Sequence, residues 1–124
     1  MINIQNYDKN NVFAKILRKE IPSDKIYEDD FVYAFKDISA QAPTHILVIP
    51  KEPFCSFNDF YEKANDQTIL NMIRTIGKIT KKLNLEDGYR IITNVGKHGG
   101  QEVPHLHFHI LGGESIGPLV ATKN

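Results

Sequence analysis

The seven residues from His105 to Leu111 read His-Leu-His-Phe-His-Ile-Leu, so imidazole and apolar side chains alternate. Successive side chains of a β-strand point to opposite faces of a sheet, and this alternation therefore predicts a strand with two chemically different faces. The histidines share one face: His105, His107 and His109. The apolar residues share the other: Leu106, Phe108 and Ile110. The stretch thus requires a sheet whose apolar face is covered by a core.

Patterns elsewhere in the chain predict an α+β domain with an antiparallel sheet of about five strands, one short helix and one long helix. Short apolar runs predict the other four strands: Ile26–Glu28, Phe31–Phe35, His45–Ile49 and Tyr89–Thr93. The short helix is expected to be capped by Asn10 or Asn11 and to be stopped by Pro22. An amphipathic stripe predicts the long helix from about Asn65 to Leu83.

The size and charge of the chain limit its class. Its 124 residues are expected to form one domain, with a flexible arm at 1–11 and a tail at 114–124. Fifteen basic and fifteen acidic residues cancel, so neither DNA nor RNA is an expected partner. The longest apolar run, Ile46–Ile49, is too short to span a membrane, so no membrane association is expected. A lone cysteine, Cys55, excludes an internal disulfide and favours a cytoplasmic location.

The row of three histidines admits three interpretations. They could be solvated or hydrogen-bonded without a chemical role. They could bind a metal ion, but His105 and His109 lie about 13 Å apart on an extended strand, so a ligand such as Asp37 or His45 would be needed. Finally, a neutral imidazole is a competent nucleophile near neutral pH, and its neighbours could hold phosphate oxygens and move protons. The last interpretation is favoured, with no metal and no cofactor.

The alternating stretch resembles the motif of the histidine-triad (HIT) family, His-x-His-x-His-x-x with apolar residues at x. Further blocks agree in order: FAKILRKEIP (13–22), FKDISAQAPTHILVIPK (35–51), GYRIITNVG (88–96) and HGGQEVPHLHFHILGG (98–113). The similarity runs from about Val12 to near the end of the chain. It is greatest to the purine nucleoside phosphoramidase branch of the family, in its bacterial form.

The resemblance implies a fold, a reaction and a set of site residues. The reaction is hydrolysis of the P–N bond of nucleoside 5′-phosphoramidates, such as adenosine 5′-monophosphoramidate, through a nucleotidyl-histidine intermediate. The implied assembly is a homodimer whose two sheets join edge to edge. The implied catalytic residues are His107 as nucleophile, His109 on the phosphate, His105 as a support for the row, and His45 nearby. The implied nucleotide-binding residues are Phe13, Ile16, Ile21, Phe35, Asp37, Ile38, Asn94, Gly100, Gln101 and Glu102.

Some questions stay open from the sequence. Glu102 stands where animal members of the family have a serine, so the proton donor to the leaving group is left open among Glu102, Gln101 and the histidines. Related reactions also remain: cleavage of dinucleoside polyphosphates or nucleotidyl transfer. A nucleotide-binding interaction protein and a metallohydrolase are the remaining alternatives.

Overall fold

The structure of the protein is a computed structural model that describes residues 2–121. Its elements follow the order α1 (Val12–Leu17), β1 (Lys25–Glu28), β2 (Val32–Lys36), β3 (Thr44–Pro50), α2 (Phe57–Lys63), α3 (Asp66–Lys82), β4 (Tyr89–Ile92), α4 (Gly96–Gly99) and β5 (Phe108–Gly112). The strands form one sheet in the order β1-β2-β3-β5-β4, and every neighbouring pair is antiparallel. The predicted α+β class and the five-stranded antiparallel sheet are confirmed.

The central strand β3 is buried on both faces, which explains its almost continuous apolar sequence. Side chains from one face of the sheet meet α2 and α3 in the larger core, through Phe60, Met72, Ile76 and Ile79 of the helices. A smaller cluster joins α1 to the strands: Phe13, Ile16, Phe35, Leu47 and Ile49. The sheet therefore has one face covered by α2 and the long helix α3 and one face only partly covered by the short helix α1.

Helix α3 matches its prediction closely. Asn65 is the N-cap, since its side chain accepts a hydrogen bond from the backbone N–H of Thr68, and Leu83 is the C-cap. The inward stripe supplies Met72, Ile76 and Ile79 to the larger core. Asp66 in the first turn and Lys81 and Lys82 in the last suit the helix dipole.

The helices differ from the prediction in number and in one boundary. The seven-residue α2 was not predicted, although Ser56 and Asp59 form a capping box at its start, a signal that the sequence does contain. The short turn α4 lies within the glycine-rich loop at 96–100. Helix α1 is capped by Asn11 as expected, but it ends before Pro22 because Lys19 takes a left-handed conformation, with φ 64°.

Strand β5 begins at Phe108, three residues later than predicted. Before it, backbone groups are engaged outside the strand ladder: Leu106 N–H donates to the carbonyl of Phe54 at 2.8 Å, and Thr93 Oγ1 donates to the carbonyl of His107 at 2.9 Å. Alternation nevertheless persists through the irregular residues, since the apolar side chains 106, 108 and 110 all enter the larger core. The division of the stretch into two faces is therefore correct, although the predicted ladder is too long.

The structure describes most of the predicted arm and of the predicted tail. The predicted arm at 1–11 contains the buried cap Asn11, and its flexibility stays a prediction. In the predicted tail, the carbonyls of Gly117 and Pro118 accept hydrogen bonds from the Arg90 side chain, whereas 122–124 lie outside the described residues. Among residues 2–121, no helix is both long and apolar enough to cross a membrane.

Candidate active site

A cleft of about 470 Å³ opens on the partly covered face of the sheet. Helix α1, the end of β2 and the segment after β4 enclose it, and His107 and His109 lie along it. Eleven of the fourteen residues predicted for the site line this cleft: Phe13, Ile16, Ile21, Phe35, Asp37, Ile38, Asn94, Gly100, Glu102, His107 and His109. The other three, His45, His105 and Gln101, lie outside its lining.

One end of the cleft is apolar. The rings of Phe13 and Phe35 meet edge to face with centroids 5.6 Å apart, and Ile16 and Leu47 pack in the same cluster. Ile21 packs partly buried against that cluster. Ile38 stands differently, because its side chain is 99% exposed at the mouth. The walls are thus suited to a flat apolar ring, with Ile38 available at the opening.

The imidazole-lined end of the cleft is built around His107. Its Nδ1 lies 2.7 Å from the backbone carbonyl of His105, and because a carbonyl only accepts, Nδ1 must carry the hydrogen. In the neutral ring, Nε2 therefore carries a lone pair. This nitrogen has no protein partner among residues 2–121, and it is open to solvent in the cleft. The fold thus presents one unprotonated, unoccupied nitrogen to a ligand.

His109 has the opposite tautomer, because a hydrogen bond from His45 fixes it. The backbone N–H of Gln41 donates to His45 Nδ1 at 3.1 Å, so the hydrogen of a neutral His45 is on Nε2. His45 Nε2 lies 2.9 Å from His109 Nδ1 and donates to it. His109 in turn carries its hydrogen on Nε2, which is turned to the cleft. Adjacent rings, with centroids 5.1 Å apart, therefore offer one acceptor and one donor.

The strand register produces this pairing of His45 with His109. Leu47 is opposite His109 in the β3–β5 ladder, and His45 lies two residues before Leu47 on the same face. Such diagonal neighbours remain within reach of long side chains. Asp37 joins them from the end of β2, where its backbone N–H donates to the carbonyl of His45.

Burial keeps the row of imidazoles neutral. Loss of solvent lowers the pKa of His105 to about 4 and that of His109 to about 4. The pKa of His107 is also lowered by burial, although its hydrogen bond to the His105 carbonyl opposes the shift. Near neutral pH all three rings are uncharged, and this condition preserves the lone pair on His107.

Asp37 and Gln101 were both predicted to bind the nucleotide, but only Asp37 lines the cleft. Asp37 lines the cleft with a carboxylate that accepts the backbone N–H of Ser39 at 2.8 Å and still has lone pairs for a ligand. Gln101, predicted to contact the nucleotide, is buried instead, and its amide holds the loop together. Its Nε2 donates to the carbonyls of Cys55 and Val103, and its Oε1 accepts from Gly96 N–H.

His105 is the buried member of the histidine row and holds His107 through its backbone carbonyl. It is fully buried, and its Nε2 donates to the carbonyl of Pro50 at 2.9 Å. Seven further lining residues were not predicted: Pro22, Ser23, Lys36, Ser39, Gln41, Leu47 and Val103. Several of them adjoin predicted residues in sequence, and this adjacency was the only available signal. Val12, where the similarity to the family begins, also lines the cleft.

Asp37, His45 and His109 could together hold a metal ion, because each offers a ligand atom within 4.8 Å of the others. Their separations fit hydrogen bonding better. His45 Nε2 lies 2.9 Å from His109 Nδ1 and 3.4 Å from Asp37 Oδ2, and Gln41 N–H occupies the remaining nitrogen of His45. Two ligands at tetrahedral angles and at about 2.0–2.1 Å from zinc would stand farther apart than 2.9 Å. The geometry is that of a hydrogen-bonded set.

Comparisons with known proteins find relatives over most of the chain. Residues 18–116 match the HIT domain family. The chain is 50% identical over 113 residues to the purine nucleoside phosphoramidase of Escherichia coli strain K12, covering 90% of this chain and 94% of the relative. A solved histidine triad protein from Clostridium difficile is similar, with a TM-score of 0.81 and 40% identity over 93% of this chain and 100% of that chain. A HIT family hydrolase from Clostridium thermocellum gives a TM-score of 0.80 and 41% identity over 92% and 99% of the two chains.

Proposed function

This chain belongs to the HIT domain family, and we propose that it is a purine nucleoside phosphoramidase. It hydrolyses the P–N bond of nucleoside 5′-phosphoramidates to a nucleoside monophosphate, such as AMP, and an amine. The observation that carries the proposal is the pair of opposite tautomers in one cleft: an acceptor nitrogen on His107 beside a donor nitrogen on His109. The 50% identity to the phosphoramidase of Escherichia coli supports the same reaction.

His107 is the nucleophile in this proposal. Its Nε2 lone pair forms a bond to the α-phosphorus, and the electron pair of the P–N bond leaves with the amine, which takes up a proton. Water then attacks phosphorus and displaces His107, which regenerates the neutral ring and releases AMP. The hydrogen bond from Nδ1 to the His105 carbonyl stabilises the positive charge that the ring acquires in the intermediate.

His109 holds the phosphate. Its Nε2–H donates to a non-bridging oxygen where negative charge increases in the transition state, and donors of this kind contribute about 10²–10³ in rate. His45 acts behind it as a positioning residue, because its own Nε2–H fixes the His109 tautomer. The row therefore requires no ion to polarise the phosphate, and no cofactor enters the mechanism.

Other residues bind the nucleoside and assist the leaving group. Asp37 accepts the ribose hydroxyls, and the apolar walls with Phe13 and Ile16 enclose the base. Three kinds of candidate for donating a proton to the amine were left open by the sequence. His107 and His109 already act on the phosphorus and the phosphate in this proposal, and the amide of Gln101 is fully engaged by backbone groups, whereas Glu102 lines the cleft. We assign Glu102 that role.

The assembly is a homodimer joined along β4. Among residues 2–121 this strand pairs with β5 alone, so its other edge is open, and its residues Tyr89 and Ile91 are 44% and 47% exposed. Open strand edges favour pairing with another strand. The proposed cytoplasmic location rests on Cys55, an unpaired buried cysteine.

A quenched reaction tests the chemistry directly. Protein mixed with adenosine 5′-monophosphoramidate, denatured during turnover and measured by mass spectrometry should gain the mass of one adenylyl group, mapped to the peptide that carries His107. Turnover of this substrate should also exceed turnover of a diadenosine polyphosphate. Absence of the adduct together with absence of turnover would reject the proposal, and preference for the diadenosine substrate would move the protein to the related reaction.

A further inference from the structure

The N-terminal arm reaches the histidine row through Tyr7. The tyrosine hydroxyl lies 2.6 Å from Nδ1 of His105, and the two rings meet edge to face with centroids 5.6 Å apart. These residues are 98 positions apart in the chain. Ile4 of the same arm comes close to Gly96, in the segment that leads into the row, where an added Cβ on the glycine would meet Ile4 Cδ1 at 3.6 Å. The arm therefore touches the catalytic segment at two points.

The direction of the Tyr7 hydrogen bond follows from the other side of the His105 ring. The carbonyl of Pro50 can only accept, so His105 Nε2 carries the hydrogen and Nδ1 carries the lone pair. Tyr7 must then be the donor. Burial raises the pKa of the Tyr7 hydroxyl, which keeps its proton in place. Both nitrogens of His105 are thus occupied, and the ring can neither flip nor change tautomer without losing a hydrogen bond.

His105 connects this clamp to the nucleophile. Its carbonyl accepts the hydrogen bond from His107 Nδ1, which directs the lone pair of Nε2 into the cleft. The next backbone group is also anchored, because Leu106 N–H donates to the carbonyl of Phe54. The preceding residue, Pro104, has no N–H and a nearly fixed φ. His105 is held by its ring and by the backbone on both sides.

We propose that Tyr7 is a positioning residue for the reaction: its hydroxyl fixes the His105 ring, and through the His105 carbonyl it orients the His107 nucleophile. This inference rests on the proposed phosphoramidase function. It assigns the arm a part in catalysis although Tyr7 does not line the nucleotide cleft. A misaligned nucleophile lowers the rate of the chemical step without weakening nucleotide binding.

The test compares Tyr7→Phe with wild-type protein. Phenylalanine keeps the ring and its packing on His105 but removes the donor. We expect kcat for adenosine 5′-monophosphoramidate to fall about tenfold, as loss of one hydrogen bond predicts, while KM stays within about twofold. The matched control is Tyr27→Phe, which loses a hydroxyl bonded to Asp29 at 2.9 Å away from the cleft and should keep wild-type kinetics.

A spectroscopic measurement separates this inference from the function on which it rests. In ¹⁵N-labelled protein, the Nδ1 signal of His105 should have the shift of an unprotonated nitrogen that accepts a hydrogen bond, and Tyr7→Phe should move it toward that of a free acceptor. An unchanged Nδ1 signal, or an unchanged kcat in a folded Tyr7→Phe variant, would overturn the inference. Wild-type protein without turnover would instead reject the proposed function, and the Nδ1 signal would still report on the Tyr7 contact.

Discussion

The two faces of β5 and of the residues that lead into it are both largely buried, but their polar groups are satisfied differently. On the apolar face, Leu106 and Ile110 are 1% and 0% exposed, and on the imidazole face, His105 and His107 are 0% and 7% exposed. Apolar side chains need only close packing. Each buried imidazole nitrogen needs a hydrogen-bond partner, and the nitrogens without a protein partner are those that open into the cleft. Unfilled hydrogen-bonding capacity, more than burial, therefore distinguishes the imidazole face.

The largest effect is expected for a substitution on the imidazole face, which should abolish most of the activity and leave the fold intact. His107→Asn keeps an amide donor for the His105 carbonyl but lacks the nucleophilic nitrogen, so kcat should fall by about four orders of magnitude, an effect of the size seen when a catalytic triad loses a member. The fold should persist, as measured by circular dichroism and thermal unfolding. His98→Asn, at an exposed position in the nearby loop, is the control and should retain full activity. Wild-type turnover in His107→Asn would show that the two faces do not differ in reactivity.

The next largest effect is expected on the apolar face, where a substitution should lower stability and leave activity unchanged. Ile110→Ala removes buried volume from the apolar face and should lower the free energy of unfolding by about 2–5 kcal/mol, measured by urea denaturation. The kcat of the folded fraction should stay within about twofold of wild type, because Ile110 contacts the larger core and not the cleft. A large kcat loss at unchanged stability would mean that the faces are coupled in a way their contacts do not indicate.

The smallest expected effect is the contribution of His105 to the loss of stability at acid pH. His105 has a pKa of about 4 in the folded protein against 6.5 for an unperturbed ring, so the unfolded chain binds the extra proton first as pH falls. Protonation of His105 leaves the free energy of unfolding unchanged above pH 6.5 and lowers it progressively between pH 6.5 and about 4. At pH 4.5 the free energy of unfolding has fallen by about 2 kcal/mol. His105→Gln keeps a donor for Pro50 and does not titrate. The variant should therefore lose less stability between pH 7.5 and 4.5 than wild type does, and an equal loss would assign acid sensitivity to other groups.

Much of the fold could be predicted because it depends on local periodicity. The alternation at 105–111 gave the correct division into faces, and the stripe of α3 gave its boundaries to within a residue at each end. Features that depend on partners far along the chain were missed. The ladder at β5 starts late because Leu106 N–H bonds to Phe54, and nothing in the spacing of either residue indicates that contact.

The candidate site divides in the same way. Residues on predicted elements, such as Phe35 and His109, line the cleft as expected. Gln101 does not, because a glutamine beside a glycine-rich loop can bind a ligand or close the loop, and only the structure places its amide against Cys55 and Gly96. The contact of Tyr7 with His105 had no local signal, since an isolated tyrosine in a polar arm has no periodicity to interpret.

The pairing of β3 with β5 also has a consequence for how the protein forms. Strand β3 must wait for β5, which follows it only after several intervening elements, and closing so long a loop costs entropy before any contact compensates for it. During synthesis, the diagonal contact of His45 with His109 therefore becomes available only after α2, α3, β4 and α4 have been made. After dilution from denaturant, enzymatic turnover should consequently recover only when folding is complete. Helix α3 should form earlier, because its hydrogen bonds join residues that are close in sequence.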